Sequence, residues 1–174
     1  MLWLNILPDA NVIIHLKKLD RLDILIKVKS NFNVILSEKV FQEVTRDQGL
    51  KSWFKHHDFF ERKEGNLIRF QRCKTLNRIG NGESDIITII NECTKNKREE
   101  YLMICEDRLA SATATQEGII YNNFCQFLKR LLNCNTVTEQ EYKDIVSKLF
   151  ELNRICLERK KYCIDLLKDS HPLL

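Results

Sequence analysis

Short apolar runs alternate with longer amphipathic segments along this chain. The runs have the length of strands and predict strands at residues 2–7, 33–36, 67–70, 101–105 and 118–121. Apolar residues recur at helical spacing between and after them, which predicts helices at 12–19, 22–28, 38–44, 49–64, 83–93, 110–114, 124–132 and 138–167. Strands that alternate with helices indicate a parallel sheet covered on both faces, a three-layer α/β/α fold.

Polar signals mark the starts of several predicted helices. Ser37 is a good N-cap for the helix that follows it. Residues 80–82 read Gly-Asn-Gly, the clearest break in the chain, and they open the next long helix. Thr138 and Glu141 have the spacing of a capping box, which begins the amphipathic stretch that runs to about residue 167.

Composition places the chain among globular proteins. Hydrophobic residues make up 44% of the 174 residues and charged residues 30%, a balance that excludes a wholly disordered chain. No apolar run approaches the length of about 18 residues that spans a membrane, and the opening run lacks the basic start of a signal peptide. Seven cysteines without a Cys-x-x-Cys pair are therefore expected to be reduced thiols in a cytoplasmic protein.

Positive charge is concentrated in one segment. The net charge of the chain is +4, but residues 46–78 contain nine Lys or Arg against four Asp or Glu. Trp53, Phe54, Phe59 and Phe60 lie among these cations. They suit either the buried face of an amphipathic helix, the commoner arrangement, or a surface on which planar groups stack.

Acidic residues follow two of the predicted strands. Asp9 comes directly after the first strand, and Glu106 and Asp107 come after the strand at 101–105. The carboxyl ends of parallel strands meet at the edge where ligands bind in open α/β sheets. We therefore expect these three carboxylates to lie near one another.

Further acids lie on predicted helices. Glu83 stands in the first turn after the glycine break, with Asp85 two residues on. Glu43 lies on the apolar stripe of its helix, so we expect its side chain to point partly inward. Acids that converge on one edge cannot all stay ionised without positive charge between them. A hard divalent cation such as Mg²⁺ or Mn²⁺ supplies that charge.

Each acid also has a purely structural explanation. Asp9, Glu106 and Asp107 can each cap a helix. Glu83 suits a first helical turn because of the helix dipole, and Glu43 suits a solvated helix flank. Four acids at successive points of the predicted fold favour a shared site over independent caps.

Four segments resemble the successive acidic motifs of PIN-domain proteins, over roughly residues 2–150. They are LPDANVIIHL, LSEKVFQEV, GNGESDIITII and LMICEDRLASATATQEGI. The resemblance implies a divalent-metal-dependent ribonuclease with a mostly parallel, about five-stranded central sheet between two helical layers. It also implies a nuclease domain at residues 1–150, with residues 151–174 as a helical extension packed on that domain or projecting from it.

The resemblance implies a role for each acid. The implied catalytic residues, one from each motif, are Asp9, Glu43, Glu83 and Asp107. The implied metal ligands, for Mg²⁺ or Mn²⁺, are Asp9, Glu83 and Asp107. The supporting polar residues are Asn11, Asp85 and Glu106.

Two of these choices stay open. The third motif offers Glu83 and Asp85, and the fourth offers Glu106 and Asp107. Either member of each pair suits a metal ligand by residue type.

The resemblance also implies partners. The basic segment suits an RNA backbone, and Lys51, Lys55 and Arg62 are the candidate contacts. Many small PIN-domain proteins are toxins, so an antitoxin protein or a second copy of the chain are further candidate partners. The Arg-Lys-Lys run at residues 159–161 suits a protein partner, RNA or self-association.

Other function classes fit less well. A phosphatase of the haloacid-dehalogenase type needs a second Asp two residues after the first, where this chain has Asn11. A catalytically weak PIN-like module that binds RNA or assembles with other proteins is the main alternative. Retention of all four acidic positions favours the enzyme over that alternative.

Overall fold

Five parallel strands form the central sheet of the computed structural model, which describes residues 4–57, 60–93 and 95–168. The strands are β1 Leu4–Pro8, β2 Phe32–Ser37, β3 Glu61–Lys63, β4 Tyr101–Ile104 and β5 Tyr121–Asn122. Their order across the sheet is β3-β2-β1-β4-β5, and every pair of neighbours is parallel.

Helices fill the connections and cover the sheet. Those before β4 are α1 Ala10–Lys18, α2 Asp23–Val28, α3 Glu38–Val44, α4 Gln48–His56, α5 Leu67–Asn77, α6 Asn81–Glu92 and α7 Lys95–Arg98. Those after β4 are α8 Arg108–Gln116, α9 Phe124–Asn133, α10 Glu139–Glu151 and α11 Leu157–Lys168. The predicted three-layer α/β/α class is confirmed. Of the helices in the described ranges, none is long and apolar enough to cross a membrane.

The central strand β1 is the most constrained element. Its residues Ile6 and Leu7 are fully buried, and Ile6 is paired with Val34 of β2 on one side and Leu102 of β4 on the other. A parallel strand that is apolar on both faces needs helical cover on both sides. This requirement fixes β1 at the centre and places the residue after it, Asp9, at the middle of the carboxyl edge.

Two predicted caps are confirmed. The Ser37 hydroxyl accepts a hydrogen bond from the backbone N–H of Val40 at 3.2 Å, which starts α3. Thr138 and Glu141 form the predicted capping box at the start of α10. These caps satisfy backbone donors that the first turn of a helix leaves unpaired.

The helix predicted over 49–64 is shorter than expected. It ends at His56, and the charged tripeptide of β3 follows as an edge strand paired with β2. Because β3 contains only charged residues, it has no apolar alternation by which a strand is recognised, although charged edge strands are common. Phe59, one of the aromatic residues considered for stacking, lies outside the described residues, as do the first two residues of the strand predicted at 2–7.

The strand predicted at 67–70 is wrong. These residues form the first turn of α5, where the Asn66 side chain accepts hydrogen bonds from the backbone N–H groups of Ile68 and Arg69. Residues 67 to 69 are exposed and only Phe70 is buried in this turn. The apolar run therefore lies on the surface of a helix, and Asn66 is the N-cap that starts this helix.

The stretch predicted at 138–167 is two helices. Residues 152–156 separate α10 from α11, and Asn153 adopts a left-handed backbone conformation there. A disulfide between Cys125 of α9 and Cys163 of α11 then fastens the last helix. The expectation that all seven cysteines are reduced is wrong for this pair, because 38 residues of sequence separate two thiols that the fold brings together. The other five are free thiols.

The contact between α3 and α6 depends on Gly82. A Cβ atom at this position would lie only 2.8 Å from Cγ2 of the buried Val40. The two helices therefore approach each other at the one position without a side chain. This approach brings Glu43 of α3 to the first turn of α6.

We expect Gly82→Ala to lower the free energy of unfolding by about 1–3 kcal/mol, because the added methyl group overpacks the contact with Val40. Helix propensity alone predicts the opposite, a gain of up to about 1 kcal/mol. Urea denaturation measures the sign. Asn81→Ala, an exposed position in the same turn, is the matched control and should change stability by less than about 0.5 kcal/mol.

Candidate active site

The carboxyl ends of β1 and β4 bring Asp9 beside residues 105–107. The backbone N–H of Asp9 donates to the carbonyl of Ile104 at 2.9 Å, which extends the strand pairing by one step. In return, the Asp9 carboxylate accepts a hydrogen bond from the backbone N–H of Glu106 at 3.3 Å. Asp9 is thereby fixed between the first and fourth strands, and its side chain is completely buried.

Asp9 is also the N-cap of α1. Its Oδ1 atom accepts a hydrogen bond from the backbone N–H of Val12 at 2.8 Å. The capping explanation and the shared-edge explanation therefore both describe this residue. They are compatible because the two carboxylate oxygens have different backbone donors.

Burial dominates the electrostatics of Asp9. Loss of water raises the pKa of its carboxyl group from 3.8 to about 7, against the opposing effect of the two backbone donors. The negative charge of Glu83 adds to the increase. Loss of water and a neighbouring carboxylate thus both disfavour the ionised form of Asp9.

Glu83 lies in the first turn of α6, on the other side of the acidic edge. Its side chain folds back over Gly80, where a Cβ atom would overlap the carboxylate. Burial raises the pKa of Glu83, and the negative charges of Glu43 and Asp107 add to this effect. Gly80 therefore leaves room for the Glu83 carboxylate at the start of the helix.

Asp107 completes the group from β4. It is exposed and caps α8 through a hydrogen bond from the backbone N–H of Ala110 at 2.8 Å. Cys105 is a buried neighbour of these acids that the sequence did not reveal. Burial raises the pKa of its thiol, and the charges of Asp9, Glu83 and Asp107 contribute to the increase. These three carboxylates therefore share one electrostatic neighbourhood around the end of β4.

The expectation that Glu43 points inward is wrong. Its residue is exposed on α3 and lines a cleft with Lys17 and Lys18 of α1. Glu43 nevertheless acts electrostatically on Glu83, because Gly82 allows the two helices to meet closely. Asn11 is exposed in the first turn of α1.

Asp85 has a different set of partners from Glu83. Its carboxylate is buried and accepts hydrogen bonds from the backbone N–H groups of Gly65 at 2.8 Å and Lys39 at 3.2 Å. These donors follow β3 and β2, so Asp85 ties the ends of two strands to α6. Burial raises the pKa of Asp85 although both donors oppose the shift.

Glu106 likewise differs from Asp107. Its carboxylate accepts a hydrogen bond from the backbone N–H of Phe124 at 2.5 Å, at the start of α9, and pairs with Arg159 of α11 at 3.1 Å. Glu106 therefore joins the end of β4 to two later helices. In each of the two open pairs, one acid, Asp85 or Glu106, connects elements of the fold through its hydrogen bonds. The other acid, Glu83 or Asp107, belongs to the group around Cys105.

The donor chemistry of this group fits a hard divalent cation. It consists of carboxylate oxygens, it is partly buried, and burial and neighbouring negative charge raise the pKa values of Asp9 and Glu83. Across the described part of the chain, no three His, Cys, Asp or Glu side chains lie together as a metal-binding group. The Glu83 carboxylate lies over Gly80, at the N-terminus of its own helix.

The three cationic candidates line one cleft. Lys51 and Lys55 of α4 and Arg62 of β3 surround a space of about 510 Å³, and the Arg62 guanidinium lies 4.6 Å from the ring centroid of Phe41. The ring restricts the guanidinium without neutralising it. The sequence predicted these three cations as one set, and the structure brings them together around one cleft. Their role as RNA contacts stays a prediction.

The aromatic residues of this segment mostly support the core. Phe54 is buried, while Trp53 and Phe60 are half-buried and pack against the core. Trp53 also stacks on His57, with 4.3 Å between the ring centroids. The buried-face interpretation is therefore confirmed for Phe54.

A family model of the PIN domain matches residues 5–162. No curated protein is significantly similar to the chain.

In a chelator, we expect Asp9→Asn to be more stable than the wild type above about pH 7, by on the order of 2 kcal/mol. Because folding raises the pKa of Asp9 to about 7, the folded protein retains a proton that the unfolded chain releases above about pH 4. Wild-type stability should therefore fall as the pH rises from about 4 to 7. Asn removes the titrating group and still caps the helix.

Urea denaturation of both proteins across this pH range measures the difference, which should shrink toward pH 4. Asp47→Asn is the matched control, because Asp47 also caps a helix but is exposed and paired with Lys17, which lowers its pKa. The stabilisation by the Asp47 carboxylate is present above the pKa that this group has in the unfolded chain. It is lost as the pH falls through the lower pKa of the folded protein. Asp47→Asn should therefore gain no stability at pH 7. Lower stability of Asp9→Asn at every pH would mean that Asp9 acts only as a charged helix cap, whose interaction with the helix dipole Asn lacks.

Proposed function

The chain belongs to the PIN-domain family, a nuclease-type fold, and we propose that it is a divalent-metal-dependent ribonuclease that hydrolyses RNA phosphodiester bonds. The observation that carries the proposal is the buried carboxylate of Asp9 at the carboxyl edge, with its pKa raised to about 7 beside two further acids. Perturbed carboxylates of this kind concentrate at functional sites.

Asp9, Glu83 and Asp107 are the residues that would hold the metal, Mg²⁺ or Mn²⁺. Bound there, a divalent ion would supply positive charge between the carboxylates, lower the pKa of water and stabilise charge on the phosphate. Asp9 is already fixed by its two backbone donors, so little side-chain entropy would be lost when it binds. Glu83 is the ligand that has to turn, away from Gly80.

The remaining acids have other roles in this proposal. Glu43 is exposed and its negative charge acts on Glu83, while Asn11, exposed in the first turn of α1, would contact a ligand or the phosphate. Asp85 and Glu106 hold strand ends and later helices through their hydrogen bonds. These contacts support Glu83 and Asp107 as the members of the two open pairs that we propose as metal ligands.

RNA would be attracted to the cleft of Lys51, Lys55 and Arg62. An acidic site repels a polyanion, so cations beside it are needed to bring the substrate to the acids. The exposed amines of Lys51 and Lys55 and the ring-supported guanidinium of Arg62 suit phosphate contacts.

The biological role that we infer is that of a cytoplasmic toxin, with an antitoxin protein as its partner and a homodimer as a further possible assembly. Residues 1–150 would then be the nuclease domain and residues 151–174 a helical extension of it. The alternative is a catalytically weak module that binds RNA or assembles with other proteins. Preservation of the acids at all four motif positions supports the enzyme.

We expect purified protein to cleave RNA with Mn²⁺ or Mg²⁺ and to lose this activity in excess chelator. Asp9→Asn should reduce the rate by about a hundredfold or more, because the lost metal interaction contributes several kcal/mol. Glu83→Gln should have a similar effect. Gel analysis of total RNA measures the cleavage, and thermal melts confirm that each variant is folded.

Glu151→Gln removes an exposed charge from the end of α10 and is the control for charge alone. It should retain the wild-type rate. Undiminished cleavage by folded Asp9→Asn, or by the wild type in chelator, would contradict the proposed mechanism.

We expect combined substitution of Lys51, Lys55 and Arg62 by Ala to weaken RNA binding and reduce its salt dependence. Each lost phosphate contact should lower the slope of log affinity against log salt by about 0.7 for a single strand. Fluorescence anisotropy in chelator measures both quantities. The matched control removes three exposed cations of α5, by substituting Arg69, Arg72 and Lys74 with Ala, and an equal effect in this control would assign the result to net charge.

A further inference from the structure

A second cationic cleft lies at the opposite side of the sheet, at the carboxyl ends of β4 and β5. It has a volume of about 590 Å³ and is lined by Arg108 of α8, Arg154 before α11 and Arg159 of α11. Cys105, Ser111 and Asn123 also line it. Glu106 lines it too, and since the backbone N–H of Glu106 donates a hydrogen bond to the Asp9 carboxylate at 3.3 Å, the cleft adjoins Asp9 directly.

Positive charge exceeds negative charge on the cleft wall. Arg159 is paired with Glu106, with 3.2 and 3.1 Å between its Nη2 atom and the two carboxylate oxygens. In the described parts of the chain, neither Arg108 nor Arg154 forms an ion pair. Both of these residues are exposed, so two guanidinium groups are available for an anion.

The segment that carries two of these arginines is held in place. The Cys125–Cys163 disulfide joins α11 to α9, and the Tyr142 hydroxyl of α10 donates a hydrogen bond to the carbonyl of Cys163 at 2.7 Å. The ion pair between Arg159 and Glu106 adds a third attachment, directly to the end of β4. These contacts fix where α11 presents its cations relative to the acidic edge.

We propose that this cleft binds an internal backbone phosphate of the RNA substrate, next to the bond that is cleaved; this inference rests on the proposed ribonuclease function. Arginine suits the role because its planar group presents two N–H donors to one phosphate. The C-terminal segment then positions substrate.

The strand order supports this placement. The cleft of Lys51, Lys55 and Arg62 lies beside β2 and β3, the arginine cleft lies beside β4 and β5, and Asp9 follows the strand between them. With strands about 4.8 Å apart, the outer strands are about 19 Å from each other. A single RNA strand in contact with both clefts would span this distance and pass the acidic group.

The test is RNA binding by the full chain in chelator, where metal-dependent cleavage is absent. The probe is a short, labelled single-stranded oligoribonucleotide with hydroxyl groups at both ends, so that every phosphate is internal. The variant combines Arg108→Ala with Arg154→Ala and leaves the Arg159–Glu106 pair intact. We expect about tenfold weaker binding and a salt slope reduced by about 0.7, the value for one phosphate contact on a single strand.

The matched control combines Lys97→Ala with Lys143→Ala, which removes the same charge from exposed positions that line neither cleft. It should bind with nearly wild-type affinity and slope. Thermal melts of both double variants establish that they are folded.

Equal binding by the arginine variant and the wild type would overturn the inference, as would an equal loss in the lysine control. Absence of wild-type RNA binding would overturn it too. The proposed ribonuclease function fails separately, if the wild type does not cleave RNA when Mn²⁺ or Mg²⁺ is present. The two failures are therefore distinguished by measurements made with and without metal.

Discussion

Burial of the Asp9 carboxylate is the constraint on which the rest of the site depends. The apolar strand β1 has to lie at the centre of the sheet, and the residue that follows it is therefore enclosed by β4 and α1. Its two backbone hydrogen bonds start the first helix and join the first and fourth strands. The same enclosure disfavours the ionised carboxyl group, which raises its pKa to about 7. Asp9 thus connects the elements that meet at this edge. Because its ionised carboxylate is disfavoured by burial, a positive charge beside it would be stabilising.

Helix and strand geometry gives neighbouring acids different contacts. Glu83 and Asp85 are two residues apart on a helix and therefore about 200° apart around its axis, so they cannot face the same site. Asp85 accepts backbone hydrogen bonds from the ends of two strands, while Glu83 lies toward the acidic group. After β4, Glu106 makes the scaffold contacts and Asp107 caps the next helix. Chemically equivalent residues are therefore separated by the directions that the backbone gives them.

The sequence predicted features that depend on local periodicity and on the ends of buried strands. The sheet class, the caps at Ser37 and Thr138 and the position of Asp9 all follow from such signals. The strand β3 was missed because it contains only charged residues, and the start of α5 was misassigned because an apolar run lies on a helix surface.

Features made by distant segments had no signal in the sequence. The disulfide joins cysteines 38 residues apart, and the arginine cleft combines residues 108, 154 and 159. Glu43 was expected inside because its neighbours are apolar, yet Lys17 and Lys18 of another helix lie beside it at the surface. The inward or outward direction of a side chain on a helix flank depends on which helix packs next to it, and that contact is tertiary.

Anomalous X-ray diffraction from crystals soaked in Mn²⁺ tests the central claim most directly, because it locates the ion without reference to activity. We expect an anomalous peak that places Mn²⁺ within coordination distance of a carboxylate oxygen of Asp9. The Glu83 side chain should be turned away from Gly80 toward the ion. Asp85 and Glu106 should keep their backbone hydrogen bonds. A structure with no manganese at Asp9, or with manganese bound by Asp85 or Glu106, would contradict the assignment of this edge as the metal site.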